Sequence, residues 1–540
     1  MERIKIKNFR KIKETWDLDI APITFFTGTN NSGKSSVLKA IMALDDFGDS
    51  KNHLELSFNG RNSRKHKIDS YTNAVNWFNQ EQDNLDMEFE FEHGGYEVFV
   101  SYTPLVWENQ KLVRGGVKQL FFQRKRDGAK LTLERKSSVE YQFYAESKFF
   151  ERRRRGEEGD AFLNQQYDLK KMFSEEKKKL ENKKASLEET DTEFITLNQN
   201  IAVLNKKLTQ VNKQIKEYEI ERDELIFSPS VKLDNLSGDD LTIDRIIRNT
   251  FSKYFRENQK ELGQSDNRQD FHRAMMLGDR LQEALNFRVE HLSPHRNNQV
   301  RLYMNDNKSS DIYSIINAHA QDPIPKSSNA GIFIKKWMDK FDIGTDYRIK
   351  PVEGVASIIQ IREDKKNKKS SLENKENSER GLWINLVDKG FGAGQVFTII
   401  LRIAMSIHQN RKAQSFGFRG IKITPIILIE EPEANLHPRL QSELVDMFLD
   451  AYETHRIRFI LETHSEYIIR KTQLKGLERE FFIKENKDKN PFKVYYFGSD
   501  GPYEMCYTEE GRFERDFGKG FYDVAAKLNM ETLKKSRQNQ

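Results

Sequence analysis

The eight residues Gly28-Thr29-Asn30-Asn31-Ser32-Gly33-Lys34-Ser35 constrain this chain more than any other stretch. They read G-x-x-x-x-G-K-S, the spacing of a loop that cradles phosphate. Ile23 to Thr27 are β-branched or aromatic and predict a buried strand. Ser36 to Leu44 has helical spacing. The glycines therefore fall on a strand-to-helix turn, where backbone N–H groups and a helix N-terminus face an anion. Gly28, Asn30, Asn31, Ser32, Gly33, Lys34, Ser35 and Ser36 are the candidate ATP-binding residues. In this pattern Lys34 would reach the β- and γ-phosphates, and the Ser35 hydroxyl would ligate Mg²⁺.

A phosphate loop needs a carboxylate-bearing strand, and Pro425 to Glu433 (Pro-Ile-Ile-Leu-Ile-Glu-Glu-Pro-Glu) supplies one. Four apolar residues predict a buried strand with two carboxylates at its end. Glu430 would hold Mg²⁺ directly or through water, and Glu431 would orient or deprotonate the attacking water. A further apolar run, Phe459 to Leu461, leads into Glu462-Thr463-His464-Ser465. His464, at the end of that strand, is placed to reach a γ-phosphate. Gly390, Gly392 and Gly394 alternate along a turn before an apolar helix, Val396 to Ile407. That suits an anion-binding helix start in which Gly392, Gly394 and Gln395 make the contacts.

These segments resemble the ABC-type ATPase heads of the SMC, RecF and OLD group. "RIKIKNFRKIKETWDLDIAPITFFTGTNNSGKSSVLKAI" looks like the N-terminal strand pair and phosphate loop of the group. "LIEEPEANLHPRLQSEL" looks like its acidic strand, "ILETHSEYIIR" its switch-histidine segment, and "VDKGFGAGQVFTIIL" its signature motif. "HLSPHR" (His291 to Arg296) resembles a short strand motif of the same relatives. The resemblance covers residues 1–45 and 285–525. It implies an α/β fold, a mixed sheet flanked by helices with an antiparallel β-lobe. It also implies a homodimer or higher homo-oligomer, because a signature helix caps the γ-phosphate of the opposite subunit. The family often carries a serine in the signature, and Phe391-Gly392-Ala393-Gly394-Gln395 has none.

Composition sets the wider bounds. At 540 residues there is room for about two to four domains. The net charge of +6 makes no strong statement about nucleic acid. Cys506 is the single cysteine, which excludes an internal disulfide or a cysteine-based metal site. No apolar run approaches a membrane span, and the expectation is a cytoplasmic protein.

Residues 1–145 read as the N-terminal part of the head with the phosphate loop and β-lobe. Hairpin signals stand at Gly94-Gly95 and Asp127-Gly128. Gln123 and Gln142 are candidates for a Mg²⁺-sensing glutamine. Residues 146–228 read as a coiled-coil insertion, opened by Arg152 to Arg155, a run able to grip phosphates. From Phe194 the apolar residues Phe194, Leu197, Ile201, Leu204, Leu208, Val211, Ile215 and Tyr218 follow heptad steps. One helix of about 60 residues would run about 90 Å; alternatively the chain folds back near Glu188 to Glu193. Residues 229–290 read as a helical insertion and 291–470 as the C-terminal part of the head. Residues 364–380 read as an exposed loop. Residues 471–540 read as a closing segment with a short strand pair and a turn.

The segment after His464 is too short for the nuclease domain of OLD proteins, and no nuclease pattern is evident. "GRFERDFGKGFYDV" resembles the closing segment of ATPases in bacterial defence systems. The chain most resembles the PtuA-type ATPases of Septu and Septu-type retron systems, with the ATPase of PARIS close behind. That resemblance implies a sensor ATPase controlling a separate nuclease or toxin effector, of the HNH or Toprim kind, with DNA or a retron nucleic acid as a further partner. The alternative is a RecF- or SMC-like DNA-repair or maintenance ATPase, and a third reading is a scaffold that binds ATP without turnover.

Overall fold

A computed structural model of the chain describes residues 1–58, 65–80, 85–108, 111–126, 128–137, 140–146, 153–185, 192–223, 226–227, 230–232, 241–257, 277–294, 296, 300–304, 311–363, 381–415, 425–518 and 521–538. Asp127, Arg152, Glu188 to Asp191 of the anticipated bend and the loop 364–380 lie outside these residues, as does much of the second half of the helical insertion.

The centre is a six-stranded sheet among the described residues. Its order is Val289–Leu292, Ile426–Glu430, Arg458–Glu462, Ile23–Gly28, Phe492–Gly498, Gly501–Glu504. The first five strands run parallel to their neighbours, and the last is antiparallel. Strands buried on both faces must be apolar almost throughout, and Ile23–Gly28 is buried at every position. The period of two then divides the side chains between two cores. Phe26, Ile426, Leu428 and Ile460 face one core with Val37, Leu38 and Ile41 of the helix Lys34–Gly48. Ile23, Phe25, Ile427, Ile429, Phe459 and Leu461 face the other. That second face is covered by the helices Asp311–Gln321, Asn329–Lys340, Phe391–Ser415 and Pro438–His455. This is the mixed α/β architecture expected from the sequence.

The first core is shared with an antiparallel sheet, the expected β-lobe. It runs through Arg3–Lys7, Met87–His93, Tyr96–Glu108, Lys111–Arg124, Lys130–Arg135 and Glu140–Glu146. The Gly94-Gly95 turn joins two of these strands, and both glycines have positive φ (61° and 83°), the backbone a tight hairpin demands.

The coiled-coil insertion folds back. Two helices of 32 residues, Arg153–Lys184 and Thr192–Asp223, pack together, each about 48 Å long. Leu197, Leu204, Val211 and Ile215 are buried at heptad spacing, and Leu169 and Phe173 pack against the last two. Two short helices let the apolar seam bury against its own chain, which the single long helix could not do alone. The hairpin leaves the lobe after Glu140–Glu146 and returns through Ile226–Phe227 and Ser230–Lys232, both of which pair with that strand.

Three local expectations change. The helix carrying the signature starts at Phe391, so Gly392 and Gly394 lie in its first turn rather than before it. A Cβ on Gly392 would stand 2.5 Å from the Asn435 carbonyl oxygen, so this helix start meets the segment after the acidic strand too closely for any side chain. Part of that helix, Phe391–Asn410, is long and apolar enough to cross a membrane, contrary to the sequence reading, but 72% of its apolar window is buried within the protein. The closing turn is followed by a helix, Val524–Gln538, on which Leu528, Met530 and Leu533 are exposed.

Candidate functional site

The parallel strands deliver their loops to one end of the central sheet. Ile23–Gly28 ends in the phosphate loop, and the helix Lys34–Gly48 begins directly after it. Gly33 is the N-cap of this helix, with φ 102° and no side-chain cap. The helices starting at Asn329, Pro438 and Glu466 are all capped by a side chain. An uncapped N-terminus leaves backbone N–H groups for an external anion. Gly28 and Gly33 are each required sterically. A Cβ at Gly28 (φ 130°) would lie 2.3 Å from the Phe497 carbonyl oxygen, and one at Gly33 would lie 2.6 Å from the Trp16 ring.

Lys34 is buried and its ammonium is turned back onto the loop. It donates to the carbonyls of Thr29 at 2.8 Å and Gly28 at 3.3 Å, with Glu462 3.8 Å away. Burial pushes its pKa down, against the opposing pull of Glu462 and Glu431. The Ser35 hydroxyl donates to Glu462 Oε2 at 3.1 Å. Ser36 is buried, and its N–H donates to the Gly33 carbonyl at 2.9 Å. Asn30 and Asn31 are exposed at the loop tip, and the Ser32 hydroxyl donates to the Thr29 carbonyl.

The acidic strand Ile426–Glu430 ends two strands away. Glu430 and Glu462 are register partners on adjacent strands, and Phe26 is the next partner across. Glu430 Oε1 is 2.7 Å from His291 Nε2. Glu431 takes positive φ (47°), and its N–H donates to the Glu462 carbonyl at 2.8 Å. That conformation is held from behind by Arg296, whose side chain is wholly buried. Its guanidinium donates to the Glu430 carbonyl at 3.2 Å and to the Glu431 carbonyl at 2.6 Å. Burial lowers its pKa to about 10, opposed by Asp311, Glu433, Glu431 and Glu430.

His464 follows the neighbouring strand with part of its surface open to solvent. Its backbone N–H donates to Glu433 Oε1 at 2.7 Å, while the Thr463 hydroxyl donates to Glu433 Oε2 at 2.8 Å. Glu433 is thus a strut between the two loops. Burial lowers the His464 pKa, with Lys34 adding to the shift and Glu431 opposing it. Burial also raises Glu462 to about 7, with Lys34 and the Ser35 hydroxyl pulling it down and Glu430 and Glu431 pushing it up. The phosphate-loop lysine, the carboxylates and the histidine therefore form one electrostatic group.

A pocket of about 580 Å³ lies over the loop, lined by Asn31 to Ser36 and Glu462 on one side. On the other side stand Arg10 and Lys11, from the turn between the first two strands, and Thr72, Asn73, Val75 and Trp77, from the short helices Tyr71–Ala74 and Trp77–Gln80 and the link between them. Neither Gln123 nor Gln142 lines it, and neither do Gly392, Gly394 or Gln395. Gln395 is wholly buried, with both amide atoms lacking a hydrogen-bond partner. Among the described residues no three His, Cys, Asp or Glu side chains form a preformed metal cage. The hydroxyl and carboxylate oxygens at the loop suit a hard cation such as Mg²⁺, which takes one or two carboxylates and completes its shell with phosphates and water. The uncapped helix start and the free space over it suit the phosphates.

Sequence reasoning gave no role to Glu462, Arg296, His291 or the lobe-side wall. Glu462 carried a signal, a carboxylate closing a strand that is otherwise apolar. The wall residues form no local motif.

Residues 1–469 match the family model of the AAA ATPase domain. No curated protein matches the chain. Solved structures similar to it include the SMC head domain with an extended coiled coil bound to the C-terminal domain of ScpA from Pyrococcus furiosus. That structure is 11% identical, with 99% of each chain covered and a TM-score of 0.31. The SMC head domain of Thermotoga maritima is 10% identical, covering 93% of this chain and 97% of that one, with a TM-score of 0.32. A structure of the recombination mediator protein RecF with ATPrS is 12% identical, covering 94% and 98%, with a TM-score of 0.28.

Proposed function

The chain belongs to the AAA ATPase domain family, and from that premise we propose that it binds ATP with Mg²⁺ and hydrolyses it as a conformational switch. One observation supports this above the others. Adjacent parallel strands bring Lys34, Ser35 and Glu462 together within 3.8 Å, beside a pocket that can take a nucleotide.

The residues divide the work as follows. The N–H groups of Asn31 to Lys34 and the helix start would hold the phosphates. Lys34 would exchange the Thr29 and Gly28 carbonyls for β- and γ-phosphate oxygens, a short movement of a flexible side chain. Ser35 and the strand-end carboxylates would hold Mg²⁺, which when bound neutralises the charge developing on the phosphates. Glu431, fixed by Arg296 and the Glu462 carbonyl, would orient the attacking water and take its proton. His464 would face the γ-phosphate. Gly392 and Gly394 stand outside the pocket of their own chain, which supports an ABC-type homodimer in which each helix start serves the partner's nucleotide.

The resemblance to antiphage-defence ATPases supports control of a separate nuclease or toxin as the output. The helical hairpin favours a second reading, a RecF- or SMC-like ATPase that engages DNA.

Native mass measurements on wild type, Lys34→Ala and Glu431→Gln, with and without ATP and Mg²⁺, test the switch. Glu431→Gln should trap ATP and a dimer, and Lys34→Ala should do neither. A Glu431→Gln chain that turns ATP over at the wild-type rate would sink the assignment. Adding proteins from neighbouring genes, or duplex DNA, separates the two outputs by which one binds in an ATP-dependent manner.

A further inference from the structure

We infer that Glu462, more directly than Glu430, meets the divalent cation accompanying ATP. The inference rests on the ATPase reading above and deepens it.

The sheet order carries the point. The strand Arg458–Glu462 lies between the acidic strand and the phosphate-loop strand. Glu462 is therefore one strand spacing, about 4.8 Å, from the loop strand, and Glu430 is two. The contacts agree. Ser35, the hydroxyl that ligates Mg²⁺ in such loops, already donates to Glu462 Oε2 at 3.1 Å, with Oε1 at 3.5 Å. Two oxygens that close, one on a hydroxyl and one on a carboxylate, can share a cation once nucleotide supplies the remaining oxygens. Glu430, in contrast, spends Oε1 on His291 Nε2.

Glu462 is also poorly balanced as it stands. It is 8% exposed, its cationic neighbour Lys34 is 3.8 Å away, and Glu430 and Glu431 add negative potential. Once Lys34 moves to the phosphates, a cation beside Ser35 would be the natural replacement.

The competing role is that of an internal counter-ion, holding Lys34 until nucleotide displaces it. The two roles separate in the full-length chain, using Mn²⁺ as the probe cation and a non-hydrolysable ATP analogue. Free Mn²⁺ is read by electron paramagnetic resonance, and analogue binding in EDTA by fluorescence. For Glu462→Gln the expected result is Mn²⁺ affinity in the ternary complex weakened about 10- to 100-fold, with metal-free analogue binding within about threefold of wild type. Glu462→Asp, which keeps a carboxylate, should recover part of the loss and serves if Glu462→Gln does not fold. Glu430→Gln should weaken Mn²⁺ less than Glu462→Gln. Unchanged Mn²⁺ affinity in Glu462→Gln would overturn the inference, as would metal-free binding that tightens tenfold without Mn²⁺ loss. A folded wild-type chain that takes no analogue would overturn the ATPase reading, and the inference with it.

Discussion

Replacing Arg296 with methionine separates positioning from stability at this site. The side chain is wholly buried and donates hydrogen bonds to the carbonyls of Ser293, Pro294, Glu430 and Glu431. Methionine has similar length and no donor. The Glu431 carbonyl keeps the Ala434 N–H at 3.0 Å and the Pro294 contact is long at 3.4 Å, so the Ser293 and Glu430 carbonyls bear the loss, about 1–3 kcal/mol each and about 2–6 kcal/mol together. Against this stands the burial of the guanidinium, which lowers its pKa from the ordinary arginine value to about 10. A shift of that size corresponds to about 3 kcal/mol that the neutral side chain would not have to meet. The net change should therefore be modest, from a gain of about 1 kcal/mol to a loss of about 3 kcal/mol. Turnover is another matter. Glu431 sits at φ 47°, a conformation that needs external support. A carboxylate displaced by about 1 Å loses on the order of 100-fold in rate. Denaturant unfolding, steady-state ATP hydrolysis and nucleotide binding would be measured on the same preparations. The expected pattern is a folded chain that binds nucleotide normally and hydrolyses it about 100-fold more slowly, with Arg296→Lys intermediate. Turnover within threefold of wild type would refute the positioning role. A loss of stability far above 3 kcal/mol would refute the offset from burial.

Two further substitutions test the fold beneath the site. Gly28→Ala and Gly95→Ala both place a Cβ at positive φ, but only the first meets backbone, the Phe497 oxygen at 2.3 Å, whereas nothing lies within 4 Å of the second. Gly95→Ala should cost about 1 kcal/mol and Gly28→Ala about 1–3 kcal/mol more; equal effects in denaturant titrations would show that the sheet yields there. Burial raises Asp46 from 3.8 to about 6. The folded chain then holds a proton more tightly than the unfolded chain, so this residue's contribution to stability falls as pH rises from about 4 to 6 and stays low above that. Asp46 accepts the N–H groups of Lys65 and His66 through one oxygen, which asparagine can reproduce. Asp46→Asn should therefore be nearly neutral at pH 4 and more stable than wild type by up to about 3 kcal/mol at pH 8; a difference that does not vary with pH would contradict this.

Much of the site's frame was legible in the sequence because parallel strands buried on both faces must be apolar nearly throughout. The runs Ile23 to Thr27, Pro425 to Glu430 and Phe459 to Leu461 therefore announce themselves, and the polar residues closing them mark one end of one sheet. Hairpin glycines announced the lobe in the same way. Lateral order was not legible. No local pattern says that Arg458–Glu462 lies between the other two strands, and so which carboxylate stands nearest the loop stayed hidden. The helix start after Gly390 was anticipated, but not that it begins as early as Phe391, since glycine disfavours helix interiors. The close approach of the Asn435 carbonyl explains why glycine stands at position 392 all the same. The heptad steps showed that the insertion would pair. Whether it paired with itself or with another chain depended on a bend that carries no heptad signal.

The helical hairpin grows from paired strands at the lobe's edge, so its two roots are clamped to the same strand, Glu140–Glu146. Mechanically this makes it a lever with a stiff fulcrum. A rotation of the lobe by about 10° would sweep the far end of a 48 Å arm through about 8 Å. Nucleotide contacts made by Arg10 or Trp77 on the lobe side would thus register as a large displacement far from the phosphates, with the helices bearing the load and the loop supplying only the first small tilt.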